Sequence, residues 1–257
     1  MERFFLISIV IILINSCATE PIIIAEPYVD IEPDPTLISE ISQYATIWER
    51  IANEGDLKYS LNSEVEFYIA SYLKEDAKFD ELLLKAEPFI FEVIKELEKY
   101  HLPIEFALIP FVESSYDPFS VSPSGATGLW QFMPTTARIY GLKWGWWKDD
   151  RHNPHLSTKA AVRYLAYLYN RFNRDPLLAI AAYNAGPTFI EKQVKNNKRN
   201  GLPTDFWSLN VSRQTQNHIP KFLALVEIIN NANTLGIDMP IIKNQKTIEL
   251  VKVQEQF

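Results

Sequence analysis

The strongest constraint on the fold is a series of helix-length apolar segments bounded by residues that start or stop helices. In "DPLLAIAAYNAG", Asp175 stands at an N-cap position, Pro176 follows at the first helical position, and Gly186 ends the segment. Ser63 precedes "EVEFYIASYL" and Ser157 precedes "TKAAVRYLAYLYNRF", so both serines are predicted N-caps. These signals predict a chain built from helices.

The spacing of apolar residues supports the same conclusion. In "FDELLLKAEPFIFEVIKELEKY" they recur at helical intervals, at Ile90, Val93, Ile94 and Leu97. Pro88 is expected to break that segment, and Pro220 to open another helix in "PKFLALVEIINNA". Only "TIELVKV", near the C-terminus, favours a short strand. The predicted fold class is therefore all-α, with at most a very small sheet.

Charge and composition exclude one class of partner. The net charge is −7, whereas a protein that binds nucleic acid needs a basic surface, so no nucleic-acid partner is predicted. The densest basic run, at residues 192–199, is short and rich in asparagine, which is typical of a solvated helix end. An apolar content of 47% with 22% charged residues indicates a globular protein.

The N-terminus, "MERFFLISIVIILINSC", carries an unbroken apolar run at residues 4–14. The run is too short to span a bilayer as a helix and is typical of a signal-peptide core. Cys17, the only cysteine, follows it and resembles the lipidation site of bacterial lipoproteins, with Ser16 as the small residue before cleavage. The alternative is an incidental cysteine within a signal sequence. The lipoprotein interpretation predicts a lipid anchor in the cell envelope, facing the periplasm, and Ala18 favours the outer membrane.

Composition divides the chain into four parts. Residues 1–17 form the predicted signal peptide, which ends at the lipidation cysteine. Residues 18–62 are a proline-rich, acidic tether and lead-in, 63–235 a helical domain, and 236–257 a C-terminal tail. Within the domain, the stretch between Tyr116 and Pro134 is rich in Pro, Gly and Ser and is expected to be an ordered loop. Long loops inside compact domains are usually functional.

An apolar segment, "HLPIEFALIPFVESSYDP", leads into that loop and ends in an acid. Pro103 and Glu105 suit the first turn of a helix, which is expected to continue through Pro110 with a kink and to end near Glu113. The negative end of the helix dipole and the apolar neighbours both favour the neutral form of this carboxylic acid. A neutral acid can protonate a leaving oxygen. Taken alone, however, a Glu-Ser pair is more typical of a surface glutamate at a frayed helix end.

Three further motifs follow in order. After "ESSYDP" come "SPSGATGLWQFMP", "AAYNAG" and "QTQNHIPKFLA". In this order they resemble the four motifs of the family 1 lytic transglycosylases, and most of all the membrane-bound murein transglycosylase D type. The resemblance covers roughly residues 63–232 and implies a lysozyme-like domain of the goose-lysozyme, or SLT, type at 63–235.

The resemblance implies cleavage of the β-1,4 bond between N-acetylmuramic acid and N-acetylglucosamine in peptidoglycan, with 1,6-anhydro products. Glu113 would be the single catalytic residue, which protonates the glycosidic oxygen and then, as a carboxylate, removes the proton from the muramic acid 6-hydroxyl. Gln131 and Met133 are expected in the glycan groove, and Tyr183 and Asn184 are expected to face it. No metal or other cofactor is implied.

Other motif residues have two possible roles. Ser114 is grouped with the substrate-binding residues, although its hydroxyl also suits orientation of the acid or of the local backbone. No His–Ser–Asp arrangement favours it as a nucleophile. Gly128 is expected to let the backbone approach a sugar. Trp130 and Phe132 suit the core or the groove, and core packing is the favoured interpretation.

The fourth motif departs from the family pattern. The family usually has Glu-Thr-x-x-Tyr-Val-x-Lys, and here Gln214 and His218 stand at the Glu and Tyr positions. That tyrosine normally lies beside the catalytic acid. An imidazole can hydrogen-bond Glu113, but a protonated one would favour the carboxylate over the acid. His218, which is grouped with the substrate-binding residues, therefore predicts a shifted pH optimum or reduced activity.

Two other functions compete with this one. A lysozyme-type hydrolase on the same scaffold needs a second carboxylate. Glu105 lies too far along the predicted helix to serve, and Asp117 is expected to cap a turn before Pro118. A non-catalytic glycan-binding lipoprotein of the envelope is the third possibility.

Two further clusters are open to more than one interpretation. "DDRHNPH" spaces His152 and His155 like metal ligands, but a loop without a metal is favoured because no third ligand is nearby. "WGWW" places Trp144, Trp146 and Trp147 either for stacking on sugar rings or as a packed anchor between helices.

Overall fold

The computed structural model describes residues 43–248. The predicted signal peptide with Cys17, the tether at 18–36 and most of the strand expected at 247–253 lie outside these residues. None of the helices within 43–248 has the length and apolar character that crossing a membrane requires.

Eleven α-helices follow one another within the described part of the chain. They are α1 (Ile47–Glu54), α2 (Ser63–Tyr72), α3 (Asp76–Leu84), α4 (Ile90–Glu98), α5 (Ile109–Ser114), α6 (Pro134–Ile139), α7 (Pro154–Arg171), α8 (Pro176–Ala185), α9 (Pro187–Arg199), α10 (Arg213–Asn230) and α11 (Ala232–Leu235). Short 3₁₀ helices occur at Ile104–Leu108, Asp150–His152 and Phe206–Ser208. Extended pairing between residues 43 and 248 is limited to isolated bridges, so the all-α prediction is confirmed.

Several predicted helix boundaries are confirmed. The side chain of Asp175 accepts a hydrogen bond from the backbone N–H of Leu178, Pro176 is the first residue of α8, and Gly186 ends that helix with φ of 88°. The segment around Pro88 separates α3 from α4, as its missing N–H predicts.

Three predicted boundaries are wrong. Asn62 rather than Ser63 caps α2, and Asn153 rather than Ser157 caps α7. In each case an asparagine stands upstream and its longer side chain accepts the N–H of the third residue after it. Pro220 lies inside α10 rather than at its start, because Ser212 caps this helix about two turns earlier and buried residues surround the proline.

Helix α10 is the centre of the packed domain and contacts α1, α2, α5 and α8. Its fully buried apolar side chains include Ile219, Phe222 and Leu223. The core also contains Ile47 of α1 and Ile242, whose carbonyl accepts the N–H of residue 47 at 2.9 Å. The packed structure therefore extends beyond both ends of the 63–235 range expected from the sequence, because α1 buries one apolar face in the same core.

Candidate active site

The apolar segment before the acid folds as two short pieces. The 3₁₀ helix Ile104–Leu108 leads into α5, which has Pro110 in its first turn and Glu113 as its penultimate residue. The single kinked helix expected from Pro103 is thus wrong, because a proline at the second helical position starts a new helix without loss of a hydrogen bond. The expected place of Glu113, at the C-terminal end of a helix, is confirmed.

The residues after Glu113 hold the C-terminal end of α5 in place. Ser115 and Tyr116 adopt left-handed φ values of 55° and 60°. The buried Tyr116 hydroxyl donates to the carbonyl oxygen of Ala107 at 2.7 Å. The Ser114 hydroxyl donates to the carbonyl oxygen of Leu129 at 2.8 Å and so joins α5 to the loop. Ser114 does not line the cavity described below, so its geometry fits the orienting role rather than contact with a substrate.

The loop is folded back on itself by short bridges at Thr127. Gly128 has φ of 83°, and a Cβ atom there would collide with the carbonyl oxygen of Arg151. Glycine is therefore required at position 128 because the backbone of Arg151 lies close to it. The expectation that Gly128 is needed to admit a sugar is wrong. The Arg151 guanidinium donates to the carbonyl oxygens of Gly125 and Phe132. These two hydrogen bonds fix the loop to the 3₁₀ helix Asp150–His152.

Residues of the "GLWQFMP" motif divide between the core and the cavity. Trp130 and Phe132 are buried, as the core interpretation predicts, and the Trp130 indole donates to the Thr158 hydroxyl at 3.0 Å. Gln131 donates its amide to the carbonyl oxygens of Ser120 and Gly128, which leaves its side-chain oxygen as an acceptor at the cavity wall. Met133 is 43% exposed and also lines the cavity.

Helix α8 supplies two more predicted residues. The Tyr183 hydroxyl donates to the carbonyl oxygen of Trp130 at 2.8 Å. Burial, with a smaller contribution from the nearby Glu113 charge, raises the pKa of Tyr183 well above its usual value, so this hydroxyl stays neutral. The side-chain oxygen of Asn184 accepts from the Thr215 hydroxyl at 3.0 Å, which leaves the amide NH₂ of Asn184 directed at other partners.

Glu113 and His218 form a pair at the junction of α5 and α10. The Nε2 atom of His218 lies 2.9 Å from Oε1 of Glu113, and the two side chains are 6% and 12% exposed, respectively. The sequence places these residues 105 positions apart, and the contact follows from the packing of α5 against α10.

These side chains meet around a cavity of about 380 Å³. Its lining comprises Val112, Glu113, Ser122, Ser124, Ala126, Gln131, Phe132, Met133, Thr136, Tyr164, Tyr183, Asn184, Gln214, His218 and Lys221. Glu113 is the only carboxylate in this lining, which is drawn from residues 43–248. Seven lining residues are not among those expected from the motifs: Val112, Ser122, Ser124, Ala126, Thr136, Tyr164 and Lys221. Tyr164 and Lys221 lie within helical stretches that the family resemblance includes, but nothing in their local pattern shows which face they occupy.

The other acids considered as second catalytic groups lie elsewhere. Asp117 accepts the backbone N–H of Phe119 at 2.8 Å and caps a turn, as predicted. Glu105 is 1% exposed and accepts the backbone N–H of Leu57 at 2.8 Å. Neither residue lines the cavity.

The three tryptophans of "WGWW" do not share one environment: one is packed and two are exposed. Trp144 packs between the guanidinium groups of Arg138 and Arg151, at 5.3 and 5.4 Å from its ring centroid. Trp146 and Trp147 are 89% and 92% exposed, so the packed-anchor interpretation is wrong for them. Their stacking on sugar rings stays a prediction.

The two histidines considered as metal ligands lie in separate settings. Nδ1 of His152 is 2.8 Å from the carbonyl oxygen of Pro118, and burial lowers the pKa of His155. Within residues 43–248, no group of three or more His, Cys, Asp or Glu side chains is arranged to hold a metal ion.

Comparison with known proteins agrees with the motifs. Residues 92–204 match the family "Transglycosylase SLT domain". Over 202 residues the chain is 35% identical to membrane-bound lytic murein transglycosylase D of Escherichia coli K12, a match that covers 79% of this chain and 45% of that protein. It is 33% identical over 169 residues to a putative tributyltin chloride resistance protein of Alteromonas sp., which covers 66% of this chain and 80% of that one.

Among solved structures, lytic transglycosylase Slt of Pseudomonas aeruginosa, in an inactive mutant form, superposes with a TM-score of 0.45 at 24% identity. That match covers 57% of this chain and 24% of the other.

The chain spans less than half the length of its Escherichia coli relative but most of its Alteromonas relative. The family match and these identities, together with the four motifs in order, show that the chain belongs to the transglycosylase SLT-domain family, the family 1 lytic transglycosylases.

Proposed function

We propose that this protein is a peptidoglycan lytic transglycosylase, which cleaves the N-acetylmuramic acid–β-1,4–N-acetylglucosamine bond and leaves a 1,6-anhydro ring on the muramic acid. The observation that carries the proposal is Glu113, the lone carboxylate among the described residues that line the cavity, with amide, hydroxyl and aromatic groups around it. A hydrolase of the usual kind needs two carboxylates, either to activate water or to form a covalent intermediate. A lytic reaction needs one, because the substrate supplies its own nucleophile.

The first step is a proton transfer from the carboxylic acid of Glu113 to the glycosidic oxygen. The bond from C1 of muramic acid to that oxygen then breaks, and N-acetylglucosamine leaves with a free 4-hydroxyl. Positive charge develops at C1, where the substrate's own acetamido oxygen can stabilise it. Glu113 is left as a carboxylate.

In the second step that carboxylate accepts the proton of the muramic acid 6-hydroxyl while the oxygen attacks C1. The anhydro ring closes, Glu113 returns to its acid form, and no water is consumed. One residue thus acts as acid and then as base at the same atom.

Polar groups of the cavity suit recognition of N-acetyl sugars. The free side-chain oxygen of Gln131 can accept an acetamide N–H, and the amide NH₂ of Asn184 can donate to a carbonyl or hydroxyl oxygen. Met133 and Tyr183 provide apolar surface beside them, which fits the C–H face of a sugar ring.

The test is digestion of isolated cell-wall sacculi by the purified full chain, beside a Glu113→Gln variant, with the released fragments weighed by mass spectrometry. The lytic reaction predicts fragments lighter by one water than the hydrolytic ones, resistant to borohydride, and absent with the variant. Reducible ends would instead show a hydrolase. Binding to sacculi without release by either protein would show a glycan-binding protein.

We also propose that Cys17 is lipidated and anchors the protein to an envelope membrane on its periplasmic side, with the outer membrane as the site. The apolar run before Cys17 supports this, as does the name of the Escherichia coli relative, which is membrane-bound. Metabolic labelling with a fatty acid should mark the wild-type chain and not a Cys17→Ala variant. Equal labelling of the two would refute the anchor.

A further inference from the structure

The environment of His218 is asymmetric at its two ring nitrogens. Nε2 lies 2.9 Å from Oε1 of Glu113, whereas Nδ1 is buried and forms no hydrogen bond with any residue between 43 and 248. Among residues 43–248, His218 is the only hydrogen-bond partner of the Glu113 carboxyl, so Oε2 is the oxygen left for the cavity.

Only one neutral tautomer suits this geometry when Glu113 is ionised. With the proton on Nε2, the ring donates a charge-assisted hydrogen bond to the carboxylate. With the proton on Nδ1, two acceptor atoms would face each other at 2.9 Å and a buried N–H would have no acceptor. The tautomer protonated at Nε2 is therefore favoured.

The same tautomer also suits the acid form of Glu113. The Nε2–H then donates to Oε1 as a carbonyl oxygen, and the carboxylic proton is on Oε2. The proton that the reaction uses is thus directed to the oxygen that is free in the cavity, and His218 need not change its own protonation during turnover.

We propose that His218 is a positioning residue that remains neutral and donates from Nε2 to Oε1 of Glu113, which confines the working proton to Oε2. This inference rests on the proposed lytic reaction, since it assigns the acid's two oxygens to different tasks. It also moves His218 out of the substrate-binding set in which the motif placed it. A doubly protonated His218 would bury an unpaired Nδ1–H and hold Glu113 as a carboxylate, so the acid would be lost.

Other titratable groups of the cavity leave this pair undisturbed. The Tyr183 hydroxyl is bound to Trp130, and burial raises the pKa values of Tyr164 and Tyr183, so both are neutral. Lys221, one turn along α10 from His218, lies over the ring of Tyr68 of α2 at 5.5 Å from its centroid.

Charged groups of α1, of the 3₁₀ helix Ile104–Leu108 and of the later part of α10 have partners of their own. Arg50 of α1 pairs with Glu54 and Glu98. Glu105 of the 3₁₀ helix binds the N–H of Leu57, and Glu227, further along α10, accepts from the Tyr59 hydroxyl at 2.6 Å. Glu113 is the group whose charge the His218 ring contacts.

The first test compares His218→Phe and His218→Tyr with the wild type in sacculus digestion over a range of pH. Phenylalanine keeps a ring but removes the donor, and kcat should fall about 100-fold with KM little changed. Tyrosine restores a donor that does not ionise below neutral pH, and should bring kcat to within about ten-fold of wild type. The tyrosine variant should exceed the phenylalanine variant in kcat at every pH tested.

A His155→Phe variant is the matched control, because it removes a histidine that lies outside the cavity and should keep the wild-type kcat. Wild-type activity of His218→Phe, or no recovery of kcat in His218→Tyr, would overturn the proposal. Thermal melts of all variants show whether each is folded.

The second test does not depend on turnover. Ring ¹⁵N shifts of the labelled full chain, which has four histidines, identify the tautomer of His218 once its signals are assigned by their loss in His218→Phe. A neutral ring protonated at Nε2 near neutral pH is expected. A proton on Nδ1 would overturn the inference even if the enzyme is active. If no sacculus fragments are released, the proposed function fails separately, and the tautomer still decides whether the pair is arranged as described.

Discussion

Two glutamates lie eight residues apart on the same apolar segment, and both are largely buried. Glu105 sits in the 3₁₀ helix and points to a loop, where one oxygen accepts the N–H of Leu57. Glu113 sits at the end of α5, where one oxygen is held by His218 and the side chain lines a cavity. Both are glutamates with little exposed surface, so the informative difference lies in what surrounds each carboxyl.

Burial raises the pKa of Glu105, although this acid is remote from the cavity. A buried acid with a perturbed pKa is therefore not by itself a sign of an active site in this chain. Glu113 differs in having one oxygen fixed by a side chain and the other available to an incoming molecule. Access, combined with a one-sided hydrogen bond, distinguishes the acid proposed to transfer protons from the acid that completes the packing.

The largest effect should come from exchanging the two acids for glutamine separately. Glu113→Gln removes the only proton donor and acceptor of the proposed reaction, and the rate of fragment release should fall by about 10³-fold or more. Glu105→Gln should release fragments at close to the wild-type rate. Rates are measured by chromatography of fragments from sacculi, at equal concentrations of folded protein. Comparable losses of rate in the two variants would show that Glu113 has no special role in the reaction.

The second effect concerns stability. Here the substitution at Glu105 should have the larger effect and the substitution at Glu113 the smaller one. Glu105→Ala leaves the partly buried N–H of Leu57 without its acceptor, and the free energy of unfolding should fall by about 1–3 kcal/mol. Glu113→Ala opens toward an existing cavity and should cost less. Urea unfolding followed by circular dichroism measures both. A larger loss for Glu113→Ala would show that its pairing with His218 stabilises the fold more than the Leu57 contact does.

The contrast between these acids also shows what the sequence can predict. Helix type, the Asp175 cap and the position of Glu113 near a helix end follow from local pattern, because caps, prolines and apolar spacing act over a few residues. The partner of Glu113 could be suspected only from the family motif, since Glu113 and His218 are 105 positions apart. The role of Gly128 was predicted wrongly, because the atom it must avoid belongs to Arg151, which local pattern does not bring near.

A smaller effect is expected where the loop is joined to the acid. Ser114→Ala removes the hydrogen bond to the carbonyl of Leu129 and should cost about 1 kcal/mol of stability. Because the bond joins the end of α5 to the loop, a loss of rate of up to about ten-fold should accompany it. Ser63→Ala, at the exposed start of α2, is the control and should change neither quantity. An unchanged rate in Ser114→Ala would show that α5 holds Glu113 without help from the loop.

The smallest effect is the pH dependence that Glu105 gives to stability. Burial, more than the nearby charge of Asp56, raises the pKa of Glu105 above its ordinary value of 4.5, so the folded state favours the neutral acid. The stability that this neutral form contributes is fully present below the ordinary value and is lost as the pH rises through the folded pKa.

Glutamine at position 105 cannot ionise, so the advantage of the wild type over Glu105→Gln should shrink as the pH rises through that window. The change is limited to about 1.4 kcal/mol for each unit by which the folded pKa is raised. Unfolding free energies of the two proteins, measured by urea titration at several pH values from 4 upward, give this difference directly, because the other carboxylates titrate in both. Parallel curves would mean that Glu105 keeps its ordinary pKa in the folded protein. Access to the cavity, and not the effect of burial on Glu105, would then be what sets the two glutamates apart.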